Sequence, residues 1–441
     1  MTIRASRIAI ALAIAAIAGS LAASPAFAQE SKIDGADTAW MIVATGLVLM
    51  MTLPGLALFY AGMVRKKNVL STLAQSLAAA GVCSLLWFAV AYSLAFSGDG
   101  PVIGTFDRVF LNGIGMDTAH PAAATIPEIL FVLYQMTFAV ITVALVAGSV
   151  ADRMRFGAFI WFAVGWLLLV YVPLAHWVWG GGFLQTAGLM DFAGGTVVHL
   201  NAGVAGLVAA YVLGPRRGYG TENLAPYDLS LAVIGASLLW VGWFGFNGGS
   251  ALGANSRAVF AIAATHLAAC AGALTWMFLE WWTRGKPSVL GMISGVIAGL
   301  GTITPASGFV LPWQGAVIGF IAGGACFWAC TKLKQKLGYD DSLDVFGVHG
   351  VGGFTGTLLT GVFAAGAISA TADSPGGLPG LLEGNPGQVL TQAYGVLVTI
   401  VWAGFMTWGL LRVIDLFSPL RVAQQQEIEG LDISQHGEAL Q

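Results

Sequence analysis

The chain has 441 residues, 57% of them hydrophobic and only 9% charged, with a mean hydropathy of +0.79. Those proportions define an integral membrane protein. A formal net charge of −3, with no basic run interleaved with aromatics, gives no basis for nucleic-acid binding. Glycine supplies 60 residues, about 14% of the chain against an average usage of roughly 7%. Small residues let membrane helices approach closely, so a compact bundle is expected.

The first residues have the form of an address. Arg4 and Arg7 precede an apolar run from Ile8 to Ala16, and Ala26-Phe27-Ala28 stands before Gln29. This is the pattern of a cleaved bacterial signal peptide over residues 1–28, the alternative being a retained first helix.

An all-α membrane domain is expected over residues 29–421, with eleven spans. They are Thr38 to Gly62, Thr72 to Phe96, Pro127 to Val150, Phe156 to His176, Gly195 to Leu213, Leu229 to Asn247, Ala258 to Trp282, Pro287 to Thr304, Trp313 to Thr331, Val345 to Gly366 and Val389 to Leu411. Most approach the roughly 20 residues a helix needs to cross a bilayer. Basic residues fall in every second connection: Arg65, Lys66 and Lys67; Arg153 and Arg155; Arg216 and Arg217; Arg284 and Lys286; Lys332, Lys334 and Lys336. Those connections are expected to face the cytoplasm, which puts the mature amino terminus outside and the tail after Arg421 inside.

Two outer loops, Ser97 to Ile126 and Ala367 to Gln388, are rich in glycine and proline. They either shape an outer vestibule or only cover the bundle. The tail, residues 422–441, carries Glu427, Glu429, Asp432 and Glu438 and is polar enough to be mobile until a partner orders it. The cysteines, Cys83, Cys270, Cys326 and Cys330, all lie in apolar segments, and only the last two share a helix face. Two thiols without a third ligand make a poor zinc site. No phosphate loop, metal cluster or redox motif appears, so no cofactor is expected.

The fifth span opens on Asp191-Phe-Ala-Gly-Gly-Thr-Val-Val-His199, and the tenth on Asp344-Val-Phe-Gly-Val-His349-Gly. Each set of five spans thus ends on a glycine-flanked histidine helix. Two successive sets with an odd number of spans must run in opposite senses. That is the arithmetic of a 5+5 inverted repeat, about residues 38–214 and 228–366, with a final helix at about 389–411 and sites near the midplane.

Of the six histidines, His199, His266 and His349 fall inside spans, where an ionisable ring is costly and usually functional. His120 is in an outer loop, His176 ends a span and His436 is in the tail. Two facing neutral imidazoles can share one proton and offer their outer nitrogens to a small polar solute. The competing reading is helix-to-helix hydrogen bonding, worth about 0.6 to 2 kcal/mol in membranes. Tyr134 and Phe138 are one turn apart, Trp179 precedes three glycines, and the sixth span ends Trp243-Phe-Gly-Phe246-Asn247. Ring faces attract cations, although aromatic belts also populate membrane interfaces. Asp191 stands where a carboxylate caps the helix start, biases the outer mouth toward cations, or does both.

The segments Asp191 to His199, Trp243 to Asn247 and Asp344 to Gly350 resemble, in that order, the signatures of the ammonium transporter (Amt/Mep/Rh) family. The resemblance runs from about Asp37 to the tail. It implies a homotrimer in the bacterial inner membrane, each protomer with eleven helices and its own pore for ammonium or its analogue methylammonium. By position it makes Phe138 and Phe246 the stacked gate, Trp179, Tyr134 and Ser250 the outer cation site with Asp191 beside it, and His199 and His349 the paired pore histidines. Tyr134 stands where other members often have phenylalanine. The resemblance further implies that ammonium is collected outside, loses a proton, and passes the histidines as ammonia. The sequence Glu429-Gly-Leu-Asp432 with His436-Gly-Glu438 resembles the family tail that docks a PII-type signalling protein. Two other readings are an ammonium sensor signalling through such a partner and a membrane hydrolase using His199 with Asp191. The second lacks a nucleophile motif.

Overall fold

The computed structural model describes residues 32–370 and 375–440. The expected signal peptide, residues 1–28, lies outside them, as does part of the second outer loop. Apart from two isolated bridges, the regular structure among the described residues is helical.

The chain forms α1 (Gly35–Met63), α2 (Lys66–Phe96), α3 (Glu128–Val150), α4 (Phe156–Thr186, broken at Gly180 to Gly182), α5 (Gly195–Leu213) and α6 (Leu229–Gly249). It continues with α7 (Ser256–Arg284), α8 (Val289–Ile303), α9 (Pro312–Leu337), α10 (346–363) and α11 (Gly387–Asp415). Nine of these are long and apolar enough to cross a membrane, α8 and α10 being the exceptions among the described residues. Helix α8 has 15 residues, roughly 22 Å against a hydrocarbon core of about 30 Å. Both sit among other helices, and α10 is diluted by glycine and threonine. A helix packed against protein does not need the length or apolarity that lipid imposes.

Side-chain capping fixes several starts. Asp34 accepts from Ala36 N and Asp37 N, Asp228 from Ser230 N and Leu231 N, Asn255 from Ala258 N, and Ser288 from Gly291 N. Proline is absorbed by widened π-helical turns: Met51–Leu56 of α1 contains Pro54, and Leu167–Tyr171 of α4 precedes Pro173. The missing N–H and the ring's bulk are accommodated there without breaking the helix.

Burial locates the centre. The apolar window of α3 is 83% buried and that of α5 78%, against 33% in α2 and 28% in α11. Helices α5 and α10 cross reciprocally, the first turn of each packing on the body of the other. Glycine makes this approach possible. A Cβ on Gly203 would overlap the Gly350 backbone, and one on Gly353 would come within 2.6 Å of Gly195 O and Leu200 N.

The basic connections gather at one end. Arg65 pairs with Asp152 at 3.0 Å, and Arg216 pairs with Asp340 at 2.7 Å. Buried Arg153 donates to the carbonyls of Gly214 (2.8 Å) and Asp340 (2.6 Å) and to Ser342 Oγ (2.7 Å). Burial pushes the Arg153 guanidinium down to about 10. Burial opposes the ionisation of Asp340, but the hydrogen bonds and charge of Arg216 outweigh it and hold the carboxyl below its usual range.

The tail is packed rather than free. Its short helix α12 (Gln424–Glu429) places Glu427 where it accepts from Arg217 N at 2.6 Å and Arg421 Nη2 at 2.8 Å. Lys67 Nζ donates to the carbonyls of Glu427 and Ile428, Asn68 Oδ1 accepts from Leu431 N, and Asp432 Oδ1 accepts from Ser71 N. Of the acidic residues expected to be solvated, Glu427 and Asp432 accept from other segments, while Glu429 and Glu438 are exposed.

At the opposite end, the loop Ser97 to Ile126 walls a cavity of about 730 Å³, lined also by Glu128, Trp179 and Gln185. It therefore shapes a vestibule at the end of the bundle opposite the tail.

Candidate functional site

The site begins with a helix start. The carboxylate of Asp191 accepts from Gly194 N (2.8 Å) and Gly195 N (2.6 Å) through one oxygen, and from Thr196 N (2.8 Å), Thr196 Oγ1 and Val197 N (3.3 Å) through the other. Gly194, at φ 112°, makes the turn that a side chain would resist. The free N–H groups of α5 are thus met by one buried anion, and the helix dipole favours its charge. The carbonyl of Asp191 accepts the indole N–H of Trp179 at 2.8 Å.

The second half repeats this arrangement. Asp341 Oδ2 accepts from Phe346 N at 2.7 Å, and Asp344 takes the left-handed position at φ 58°. His199 follows Asp191 by eight residues, as His349 follows Asp341. Asp340, Asp341 and Asp344 are expected from the sequence to cap or pair at the start of the tenth helix; of the three, Asp341 is the capping counterpart of Asp191. Asp344 corresponds to Gly194 and pairs instead with Lys334 at 2.7 Å. The sequence spacing of eight was the available signal.

Both starts are π-helical, Gly195–Leu200 and Phe346–Gly350. Each wide turn carries a histidine near its end, and the reciprocal crossing brings the rings together. His199 Nδ1 and His349 Nδ1 are 3.2 Å apart, with centroids at 5.2 Å and planes 15° apart. Two such nitrogens bond only if one carries a proton and the other does not. As neutral rings, therefore, one presents a bare Nε2 and the other an Nε2–H. His199 Nε2 is buried without a partner. Trp243 stacks on His199 at 5.4 Å and is anchored by its own N–H to Thr304 Oγ1 at 2.9 Å. Gly301 of α8 faces the pair: a Cβ there would lie 3.8 Å from both Nδ1 atoms.

Beside His199, Phe246 stacks on Phe138 with centroids 4.2 Å apart and planes 27° apart. On the other side of Phe138 stands Trp179, edge-on at 5.8 Å. These rings bound a cavity of about 170 Å³ whose lining includes Tyr134, Gln135, Phe138, Trp179, Gln185 and Ser250. The Tyr134 hydroxyl lies 3.0 Å from Gly245 O, 2.8 Å from Phe246 O and 3.3 Å from Ser250 Oγ, and Ser250 Oγ donates to Phe246 O at 2.8 Å. Beyond His349, a second cavity of about 190 Å³ is lined by Tyr60, Arg216, Cys330, Ser342 and Asp344.

The expected residues fall into sequence: the cavity with Trp179, Tyr134 and Ser250, the Phe138–Phe246 stack, the His199–His349 pair, and the second cavity at the tail end. Asp191 stands behind this line, its oxygens turned to the helix. His266 is exposed on the outside of the bundle beside Trp240 and Phe244, away from the pair. His176 lies buried between Ala95 O and Gly100 O. His120 stacks on Phe131 at 4.6 Å and His436 meets Phe156. Sequence reasoning assigned no individual role to Trp243, Gly301 or Gln135, because their places depend on how the two halves cross.

A bundle of apolar helices with two cavities separated by an aromatic stack and a buried histidine pair defines a multi-pass membrane protein. The model of the Ammonium Transporter Family matches residues 39–440. An ammonium transporter of Aquifex aeolicus is 48% identical over 97% of this chain and 98% of its own. One of Bacillus subtilis is 46% identical over 91% of this chain and 97% of its own. Among solved structures, Saccharomyces cerevisiae Mep2 is similar at a TM-score of 0.82 and 39% identity, covering 89% of each chain. A structure described as a Sensor Amt Protein is similar at 0.82 and 28% identity, covering 91% of this chain and 98% of its own. The chain belongs to the ammonium transporter family, a family of transporters and not of enzymes.

Proposed function

We propose that this protein carries ammonium across the bacterial inner membrane, collecting the ion at the outer aromatic cavity and conducting ammonia past His199 and His349. The observation that carries the reading is the buried histidine pair beside the Phe138–Phe246 stack, with an unpartnered Nε2 on His199. A structural histidine would have both nitrogens satisfied, whereas a pore histidine keeps one for its solute.

The charge is gathered first. Trp179 and Phe138 offer ring surface, and Ser250 Oγ, whose proton goes to Phe246 O, offers a lone pair. A small N–H cation satisfies both kinds of group. A whole ion at the membrane centre would cost at least about 2.5 kcal/mol, which favours loss of a proton at the aromatic stack. Ammonia then meets one bare Nε2 and one Nε2–H and can donate to the first and accept from the second. Asp191 acts by fixing the start of α5 and the Trp179 indole, with its charge adding to the field at the outer mouth.

The full reading has eleven spans after a cleaved signal peptide, the amino terminus outside, the tail inside, and three copies each with its own pore. The gathering of basic connections at the tail end supports that orientation. A PII-type partner would dock on the inner face, where the acidic tail meets those connections. The sensor reading draws on a 28% likeness, against 46 and 48% for the two transporters. Liposomes containing the full chain test the proposal. Uptake of labelled methylammonium, competed by ammonium and indifferent to potassium, is expected; uptake no faster than in empty liposomes rejects it.

A further inference from the structure

The loop Ser97 to Ile126 has two sides. Asp107 and Arg108 line the vestibule, where Asp107 accepts from Thr105 Oγ1 at 2.6 Å and Arg108 lies 3.7 Å from Glu128. Phe106 and Phe110, on either side of them in sequence, are outside that lining and stand 69% and 65% exposed. The turn Val109–Leu111 packs on the π-helical turn Trp87–Ala91 of α2. Phe110 and Leu111 both take the left-handed backbone region, at φ 53° and 58°, which bulky side chains resist. Their side chains part there: Leu111 packs against the core, and Phe110 meets the ring of Phe88 edge-on at 5.8 Å.

A strained turn persists where its surroundings over-determine it, and a phenyl ring left in water contributes little to that. Phe88 marks what surrounds this one. Leu77, Leu85 and Phe88 stand exposed on α2, and on a membrane span such a surface faces lipid. The 31 residues of α2 extend roughly 46 Å against a hydrocarbon core of about 30 Å, so a centred helix stands clear by roughly 8 Å at each end. Phe88 precedes the end at Phe96 by eight residues, roughly 12 Å, and therefore lies just inside the hydrocarbon boundary. Single exposed apolar side chains are ordinary. Phe110 differs because it extends a lipid face at that depth, and Phe106 joins it across the turn closed by Val109 N on Phe106 O at 3.3 Å. The backbone suits the position: Arg108 N donates to Ser93 Oγ at 2.8 Å, Leu111 N to Arg108 O at 2.9 Å and Asn112 N to Val109 O at 3.1 Å.

We propose that Phe106 and Phe110 are a membrane anchor, their rings inserted among phospholipid acyl chains beside Phe88, holding the vestibule wall from the lipid side. The occupant is lipid and not a second protein chain, because the patch continues the lipid face of α2. Two rings also offer only roughly 300 Å², well short of the about 800 Å² per partner of a stable protein interface.

The test reconstitutes the full chain in liposomes of phosphatidylethanolamine and phosphatidylglycerol containing a phospholipid with a photoreactive diazirine on its acyl chain. After irradiation, labelled peptides are located by mass spectrometry. The peptides spanning Phe106 and Phe110 are expected to be labelled alongside the α2 peptide that holds Leu85 and Phe88. F106S/F110S is expected to lower the loop labelling at least about fivefold, as loss of two ring insertions requires, with α2 labelled as before. Wild-type labelling decides the question even if that variant does not assemble. A wild-type loop labelled no more than the polar connection Gly218 to Asn223 overturns the proposal, as does loop labelling unchanged in F106S/F110S.

Discussion

The carbonyl oxygen of Asp191 accepts the indole N–H of Trp179 at 2.8 Å, while its carboxylate holds the first turn of α5. One residue therefore ties the aromatic wall of the Trp179 cavity to the helix that carries His199. Replacement by alanine leaves several buried N–H groups without an acceptor, each costing about 1–3 kcal/mol. D191A is expected to lower the thermal midpoint in detergent strongly, with flux lost alongside. D191N keeps one acceptor oxygen and should fall between, because its NH2 faces donors. Flux abolished in D191N at an unchanged thermal midpoint would show that charge, rather than capping, is what the site needs.

The crossing of α5 and α10 depends on Gly203 and Gly353. A methyl group at Gly203 overlaps the Gly350 backbone, one residue beyond His349. G203A is expected to separate the two helices, break the Nδ1–Nδ1 contact and reduce uptake at least tenfold, since overpacking costs about 1–3 kcal/mol and the shift falls on the pair itself. Uptake by the purified, folded variant checks this. Alanine at Gly324, where a Cβ would meet nothing within 4 Å, is the control expected to leave uptake unaffected.

How much of this was legible in the sequence follows from what each residue costs locally. His199 and His349 were readable because an ionisable ring in an apolar span needs a reason within its own helix. The aromatic set was readable only with the family resemblance, since tryptophan and tyrosine also mark interfaces. Asp340, Asp341 and Asp344 were readable as groups that cap or pair at the start of the tenth helix, and they do so; Gly301 and Gln135 were not, because their places exist only once distant segments cross. The tail misled for the same reason: Glu427 meets Arg217 from 210 positions away and Lys67 donates to the Glu427 carbonyl from 360 away. Length failed at α8 and α10, which are surrounded by helices and not held to a lipid standard.

The loop Ser97 to Ile126 is expected to loosen in acid. His120 Nδ1 accepts from Ala122 N at 3.2 Å, so its Nε2 carries the proton toward Phe96 O at 3.0 Å, and burial lowers its pKa despite that bond and nearby Glu128. The folded loop thus binds fewer protons than the unfolded chain between the lowered value and about 6.5. Its contribution is full above that ordinary value and is lost as the pH falls through the folded one. Hydrogen exchange in Ser97 to Ile126, corrected for the intrinsic rate, should accelerate between pH 7.5 and 5; equal protection at both would count against it.

The tail's hold on the basic connections is set by Glu427, which is 2% exposed and bonded to both Arg217 N and Arg421. E427A leaves the Arg421 guanidinium unpaired, at a cost of roughly 3 kcal/mol for breaking a buried pair, discounted because Arg421 is partly solvated. Trypsin cleavage after Arg421 is expected to become at least several times faster, as read by mass spectrometry of the released tail. A cleavage rate equal to wild type would mean that the tail is held elsewhere.

The central claim is that His199 and His349 act as one unit in the path of ammonia. Current and labelled-ammonium uptake recorded together from liposomes, for wild type, H199A, H349A and the double variant, test it most directly. Residues acting as a unit are non-additive. The account predicts that each single replacement costs nearly as much ammonium-specific uptake as both together, with any remaining current no longer tracking uptake. Wild-type uptake and wild-type current per ammonium in the folded double variant would contradict it.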